Sequence, residues 1–173
     1  EVEMLQLRFG FEGVAVEGDN VVVTFQRAWQ GELNPRIGIY NTADETWKFV
    51  FYPLDTPISQ NGGWVGLSDI AAVGDGKFLI LERDNQAGPD AGLKRLYMID
   101  LGDFSIETGS TIGGKRFVRD LIPDLKSGNG PVLEKVEGLT IDESGNVWIN
   151  NDNDGVDDSS GENILMNLGN VLQ

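Results

Sequence analysis

EGLTIDESGNVWINNDND, residues 137–154, runs from a glutamate-glycine pair through a short apolar strand, a Ser-Gly-Asn turn and a second strand into a run of amides and acids. Two earlier stretches carry the same order: EGVAVEGDNVVVTFQR over 12–27 and GLSDIAAVGDGKFLILERDN over 66–85. Turns rich in Gly, Asp and Asn supply the positive φ angles that short hairpins need, so each copy reads as an antiparallel hairpin. Anchored on Gly13, Gly66 and Gly138, the copies lie about 53 and about 72 residues apart. That is the size of a propeller blade with long insertions.

Outward from these hairpins, alternation of apolar and polar residues predicts strands over 11–16, 21–25, 36–40 and 47–52 in the first unit. The second unit reads as strands over 67–73, 77–82, 94–100 and 115–121, and the third as strands over 136–141, 146–150 and 163–168. The expected fold is all-β: a β-propeller or part of one, with about three four-stranded blades in a single segment. Blade one covers 11–53, blade two 65–122 and an incomplete blade three 135–169, while residues 1–9 read as a strand of a neighbouring or closing blade. A β-sandwich with long loops is the alternative, but sandwich strands do not normally repeat a turn motif at this period. Closed propellers have roughly four to eight blades. The expected partners are therefore further blades of the same protein, or a second copy.

Composition narrows the chemistry. The chain carries 28 acidic and 13 basic residues, a net charge of -15, and so repels nucleic acid and anionic membrane surfaces. No stretch is long and apolar enough to imply membrane insertion. With no Cys and no His, thiolate catalysis, disulfides, a Ser-His-Asp triad and the usual zinc sites cannot be built from these residues. Carboxylates, amides, hydroxyls, Lys and Arg remain.

The densest cluster of such groups is NNDNDGVDDSSGE, residues 150–162. Set against a calcium-loop pattern, Asn150, Asp152 and Asp154 take positions one, three and five, and Gly155 takes the sharp turn at six. Val156 would offer its carbonyl and Asp158 the ninth position, with Glu162 one residue late for the bidentate twelfth. Bound calcium is one reading; a solvated acidic hairpin loop whose Asn and Asp side chains cap their own turns is the other. A second cluster, ERDNQAGPD over 82–90, follows the second strand of blade two. Equivalent loops of successive blades open on one face, so Arg27, Glu82, Arg83, Asp84, Asp152 and Asp154 are expected at one mouth. Glu12, Ser68, Asp69 and Glu137 would lie close to the axis. Such a ring suits a phosphoester bridged by metal, and it equally suits mutual salt bridges. Lys94, Lys115, Lys126 and Lys135 are expected outside the mouth. Trp29, Trp47 and Trp148 read as blade-packing aromatics, whereas Trp64, among glycines, reads as an exposed loop residue.

The combination of EGV or EGL opening a strand, LERD ending the next, and VEGLTIDESGNVWINNDNDG followed by GENILMNLG resembles the phytase-like family, also called esterase-like activity of phytase. The resemblance extends from about residue 12 to residue 169. It implies a secreted bacterial protein, extracellular, periplasmic or on the cell surface, that hydrolyses phosphoesters and takes calcium as cofactor. In that reading Glu137, Glu82, Asp84 and Glu12 are the catalytic carboxylates, with Glu137 as base toward a metal-bound water. Arg27 and Arg83 bind a small phosphoester, and Asn150, Asp152, Asp154, Val156, Asp158 and Glu162 hold the metal. Blade two departs from the pattern, because Val65 stands where the other copies have Glu12 and Glu137. The alternative is a non-catalytic, calcium-stabilised propeller that acts as a binding or structural module.

Overall fold

The computed structural model describes residues 9–153 and 163–172. Within them the chain is all-β, with three antiparallel sheets of four, four and three strands. Sheet one consists of β1 (Phe11–Glu17), β2 (Asn20–Phe25), β3 (Arg36–Asn41) and β4 (Thr46–Phe51), in that spatial order. Sheet two consists of β5 (Val65–Gly74), β6 (Lys77–Asp84), β7 (Lys94–Asp100) and β8 (Arg116–Asp120), also in sequence order. Sheet three consists of β9 (Val136–Ile141), β10 (Val147–Asn151) and β11 (Leu165–Asn167). A single-turn helix, α1 (Ile122–Lys126), was not foreseen from the sequence; Pro123 in its first turn fits a helix start.

Sheet two is the middle layer. Along β6, Phe78 and Ile80 join Val22, Ile37 and Tyr52 of the sheet-one side in one core, while Leu79 and Leu81 join Val136, Leu139 and Ile149 of sheet three in another. The unbroken apolar run KFLIL is therefore a strand covered on both faces, and strand alternation distributes its side chains between two cores. Sheet one has a further apolar layer on its other face, formed by Val23, Phe25 and Trp29 with Val21 and Phe49. On β1, Phe11, Val14 and Val16 remain exposed at 61%, 62% and 60%.

The first strands of the three sheets, β1, β5 and β9, lie next to one another, with β5 in the middle. Their close approach explains two of the repeat glycines. A Cβ on Gly13 would stand 2.7 Å from the Asp69 Cα, and one on Gly66 2.6 Å from the Gln26 carbonyl oxygen, closer than real Cβ contacts come. The sheets are also stitched by polar bonds: the Leu67 N–H donates to the Gln26 carbonyl at 3.0 Å, and the Leu139 N–H to Asp69 Oδ2 at 2.7 Å.

Each first strand is interrupted by a bulge. In β1 the register passes from Phe11↔Phe25 to Val14↔Val23, so that Glu12 and Gly13 together face Thr24. In β9 it passes from Val136↔Asn151 to Gly138↔Asn150, leaving Glu137 unpaired. In β5 the irregularity sits later, at Ser68, and Val65 and Gly66 pair regularly with Asp84 and Arg83. A bulge re-aims the side chain of the extra residue. The two glutamates that mark the repeat are thus the residues that regular pairing does not constrain.

Candidate functional site

Glu12 and Glu137 open, with Arg83 and Asp152, onto one cleft of about 380 Å³. Its walls are completed by Phe9, Gln26 and Trp64 on one side and by Glu134 and Lys135 on the other. Arg83 is the centre of this arrangement. Its place on β6 sends it toward sheet three, where Nη2 donates to Glu137 Oε1 in a close ion pair. Nε donates to Ser68 Oγ at 3.0 Å and Nη1 to the Asp84 carbonyl at 3.4 Å, while Glu134 Oε1 lies 3.8 Å from Nη1. The guanidinium sits 5.4 Å from the centroid of the Trp64 ring and is 3% exposed. A buried arginine so engaged holds Glu137 in place rather than offering a vacant fork to a ligand.

Across from this pair, the Glu12 carboxyl is pushed up from its ordinary 4.5 to about 7. Loss of solvent is the largest cause; the negative charge of Glu137 adds to it, and Arg83 opposes it. A carboxyl that titrates near neutrality inside a cleft can both take and give a proton under ordinary conditions.

Two residues expected at the mouth are elsewhere. Glu82 is on the opposite face of β6 from Arg83 and is wholly buried. Its Oε2 accepts from the Tyr52 hydroxyl and from Lys115 Nζ, each at 2.7 Å, and its Oε1 from the Asp55 N–H at 2.8 Å. Burial raises its pKa, against the pull of Lys115. Asp84, 1% exposed, accepts from Lys94 Nζ and from the N–H groups of Gly92 and Leu93, all at 2.8 Å. Burial lowers Lys94 to about 8 despite Asp84 beside it. Glu82 and Asp84 are therefore structural ion-pair partners beneath the mouth. The expectation for the lysines is corrected with them: Lys94 and Lys115 neutralise these acids, and Lys135 lines the cleft.

The remaining assignments separate in the same way. Asp69 bridges β5 and β9 through the Ile70 and Leu139 N–H groups. Asn150, expected as the first metal ligand, has its amide against Gly138 and donates to the Asn151 carbonyl at 3.3 Å. Asp152 faces the cleft, with its N–H on the Lys135 carbonyl at 2.8 Å. Asp154, Val156, Asp158 and Glu162 lie outside the described residues. Among the described residues no three carboxylates are placed to hold a metal ion. The donors available in this region are all oxygen, which is the set a hard cation such as calcium takes.

Sequence reasoning missed Glu134 and Lys135, although they stand just before the glutamate-glycine pair of the third repeat. It also missed the stack formed by Phe9, Trp64 and Arg27. The Arg27 guanidinium lies 4.9 Å from the Phe9 ring centroid and 5.1 Å from that of Trp64, and the two rings meet edge to face at 5.5 Å. Gly62 and Gly63 before Trp64 were the signal, since they mark a loop free to carry an aromatic to a rim.

No curated protein and no solved structure matches the chain. The model of one family, described as phytase-like, esterase-like activity of phytase, matches residues 3–155. With most of its length so matched, the chain belongs to the phytase-like family.

Proposed function

We propose that the cleft hydrolyses a phosphoester, with Glu12 as the group that moves the proton. The observation that carries this reading is the meeting of Glu12 and Glu137, the two bulged glutamates, across Arg83, with Glu12 held near neutrality. In the deprotonated form Glu12 takes a proton from water as the water oxygen bonds to phosphorus. The same proton then goes to the alcohol oxygen as its bond to phosphorus breaks. Glu137, paired to Arg83, is too well stabilised as an anion to be the base first expected of it; its charge keeps the Glu12 pKa high. Calcium, held by Asp152 with Asp154, Val156, Asp158 and Glu162, would supply positive charge for the phosphoryl oxygens. Assay of p-nitrophenyl phosphate with calcium and with chelator tests this directly. Glu12→Gln is expected to lower kcat by about 10²–10⁴-fold while leaving the far-UV spectrum unchanged; full activity in that variant would refute the role.

A non-catalytic binding module is the second reading. It is favoured by the saturation of Arg83, which is what a purely structural ion pair looks like.

For the architecture we infer a β-propeller of which the three sheets are consecutive blades. The adjacency of β1, β5 and β9 and the inner-to-outer strand order in each sheet support it. The uncovered layer of Phe11, Val14 and Val16 on sheet one then faces further blades of the same protein or a second copy. Sedimentation of the 173-residue chain as a dilution-stable 18.9 kDa monomer would reject self-association. The location proposed, extracellular, periplasmic or cell-surface, is checked by cell fractionation.

A further inference from the structure

Arg27 at the rim of the cleft differs from the other stacked arginines in what its N–H groups do. Arg36 stacks on Trp29 at 4.2 Å but closes its donors on Glu32, and Arg83 stacks on Trp64 but closes its donors on Ser68, Asp84 and Glu137. Arg27 has its guanidinium beside Phe9 and Trp64, and no carboxylate, carbonyl or hydroxyl among the described residues accepts from it. Aromatic contact engages the faces of a guanidinium and leaves its in-plane donor edge for an anion. The stack also limits the rotamers of a long side chain, so less ordering is required when that edge is bonded.

Resting on the hydrolase reading above, we propose that Arg27 receives the single phosphoryl group of the substrate. The cleft would then take a monophosphate ester with a flat, uncharged body rather than a polyphosphorylated one. The charge around the cleft is the argument. Glu12, Glu134, Glu137 and Asp152 face it, Arg83 is already bonded to Glu137, and Lys135 has a partner of its own. One phosphoryl group can be answered by the fork of Arg27. Each additional one would face carboxylates, in a chain of net charge -15. The aromatic side of the cleft, Phe9 and Trp64, offers a flat surface to the body of the ester.

The test uses two probes: phenyl phosphate, with one phosphoryl group on a ring, and inositol hexakisphosphate, with six on a saturated ring. Calorimetric titrations of the parent chain, Arg27→Ala and Arg27→Lys are run at about 0.15 M salt, the physiological value, with chelator and again with calcium. Phenyl phosphate is expected to bind the parent and to lose at least about tenfold in affinity in Arg27→Ala, with a smaller loss in Arg27→Lys, where the charge persists without the fork. Inositol hexakisphosphate is expected to bind more weakly than phenyl phosphate in both media. No binding of phenyl phosphate to the parent, equal binding to parent and Arg27→Ala, or tighter binding of the hexakisphosphate would each overturn the proposal. Turnover is read separately: phenyl phosphate bound through Arg27 but never hydrolysed leaves this recognition standing and removes the hydrolase reading.

Discussion

Two pairs of acids, separated by less than the width of sheet two, have opposite fates. Glu82 and Asp84 sit on a regularly paired stretch of β6, where alternation turns them away from the cleft and burial obliges each to find a lysine. Glu12 and Glu137 sit on bulges of β1 and β9, where no cross-strand partner constrains them and the cleft is open beside them. All four were equal candidates as residue types. What separates them is whether the strand that carries them is in register, because a regular ladder assigns the face and a bulge releases it.

The largest effect that sharpens this comparison lies in the buried pair. Asp84→Ala leaves Lys94 charged, wholly buried and without its carboxylate; a loss of about 3–5 kcal/mol is expected by urea unfolding. Replacing both residues with apolar ones of similar volume, Asp84→Leu with Lys94→Met, is expected to recover most of that loss. A double variant as unstable as the single would mean that the backbone bonds from Gly92 and Leu93 to Asp84, not the charge pair, hold the loop.

Next in size is Glu137→Gln. It removes the negative charge that raises Glu12 and releases Arg83, which lowers it, so the Glu12 pKa should fall from about 7. In the pH dependence of kcat/KM the acidic limb should move to lower pH. Stability should change by only about 1–2 kcal/mol, because Arg83 keeps Ser68 and the Asp84 carbonyl. An unmoved limb would show that Glu12 is not the titrating group.

The smallest effect is on stability against pH. Glu12 binds its proton more tightly folded than unfolded, with values of about 7 against 4.5, so its contribution is fully present below 4.5 and is lost as pH rises through 7. Glu12→Gln should remove that downward slope. Lys94 has the opposite sense. Its folded value of about 8 lies below the ordinary 10.5, so the unfolded chain holds more protons between them and stability should rise with pH across that window. Chemical denaturation at pH 5, 7 and 9, with and without the Glu12 substitution, separates the two slopes.

The strands themselves were legible because their signals are local. The hairpins at 12–27, 66–85 and 137–154 carry their own turns, and the alternation around them located all eleven strands to within a few residues. The glutamate-glycine pair also pointed to Glu12 and Glu137, and the exception at Val65 corresponds to the one first strand whose bulge is displaced, to Ser68. Glu82 and Asp84 were misplaced for a reason that sequence does not carry. Lys115 lies 33 residues from Glu82, and only the docking of its segment on sheet two brings the two together. The stack of Phe9, Arg27 and Trp64 likewise draws on three segments that meet only where β1, β2 and β5 converge.

What the sequence determined by itself is the all-β class, the three repeated hairpins and the absence of thiol and imidazole chemistry, since turn propensity, alternation and composition act within a few residues. The tertiary structure decided which acids are paired and which face the cleft. Register, bulge position and the stacking of three sheets set both the face a side chain takes and the charge it meets, and those depend on contacts between segments tens of residues apart.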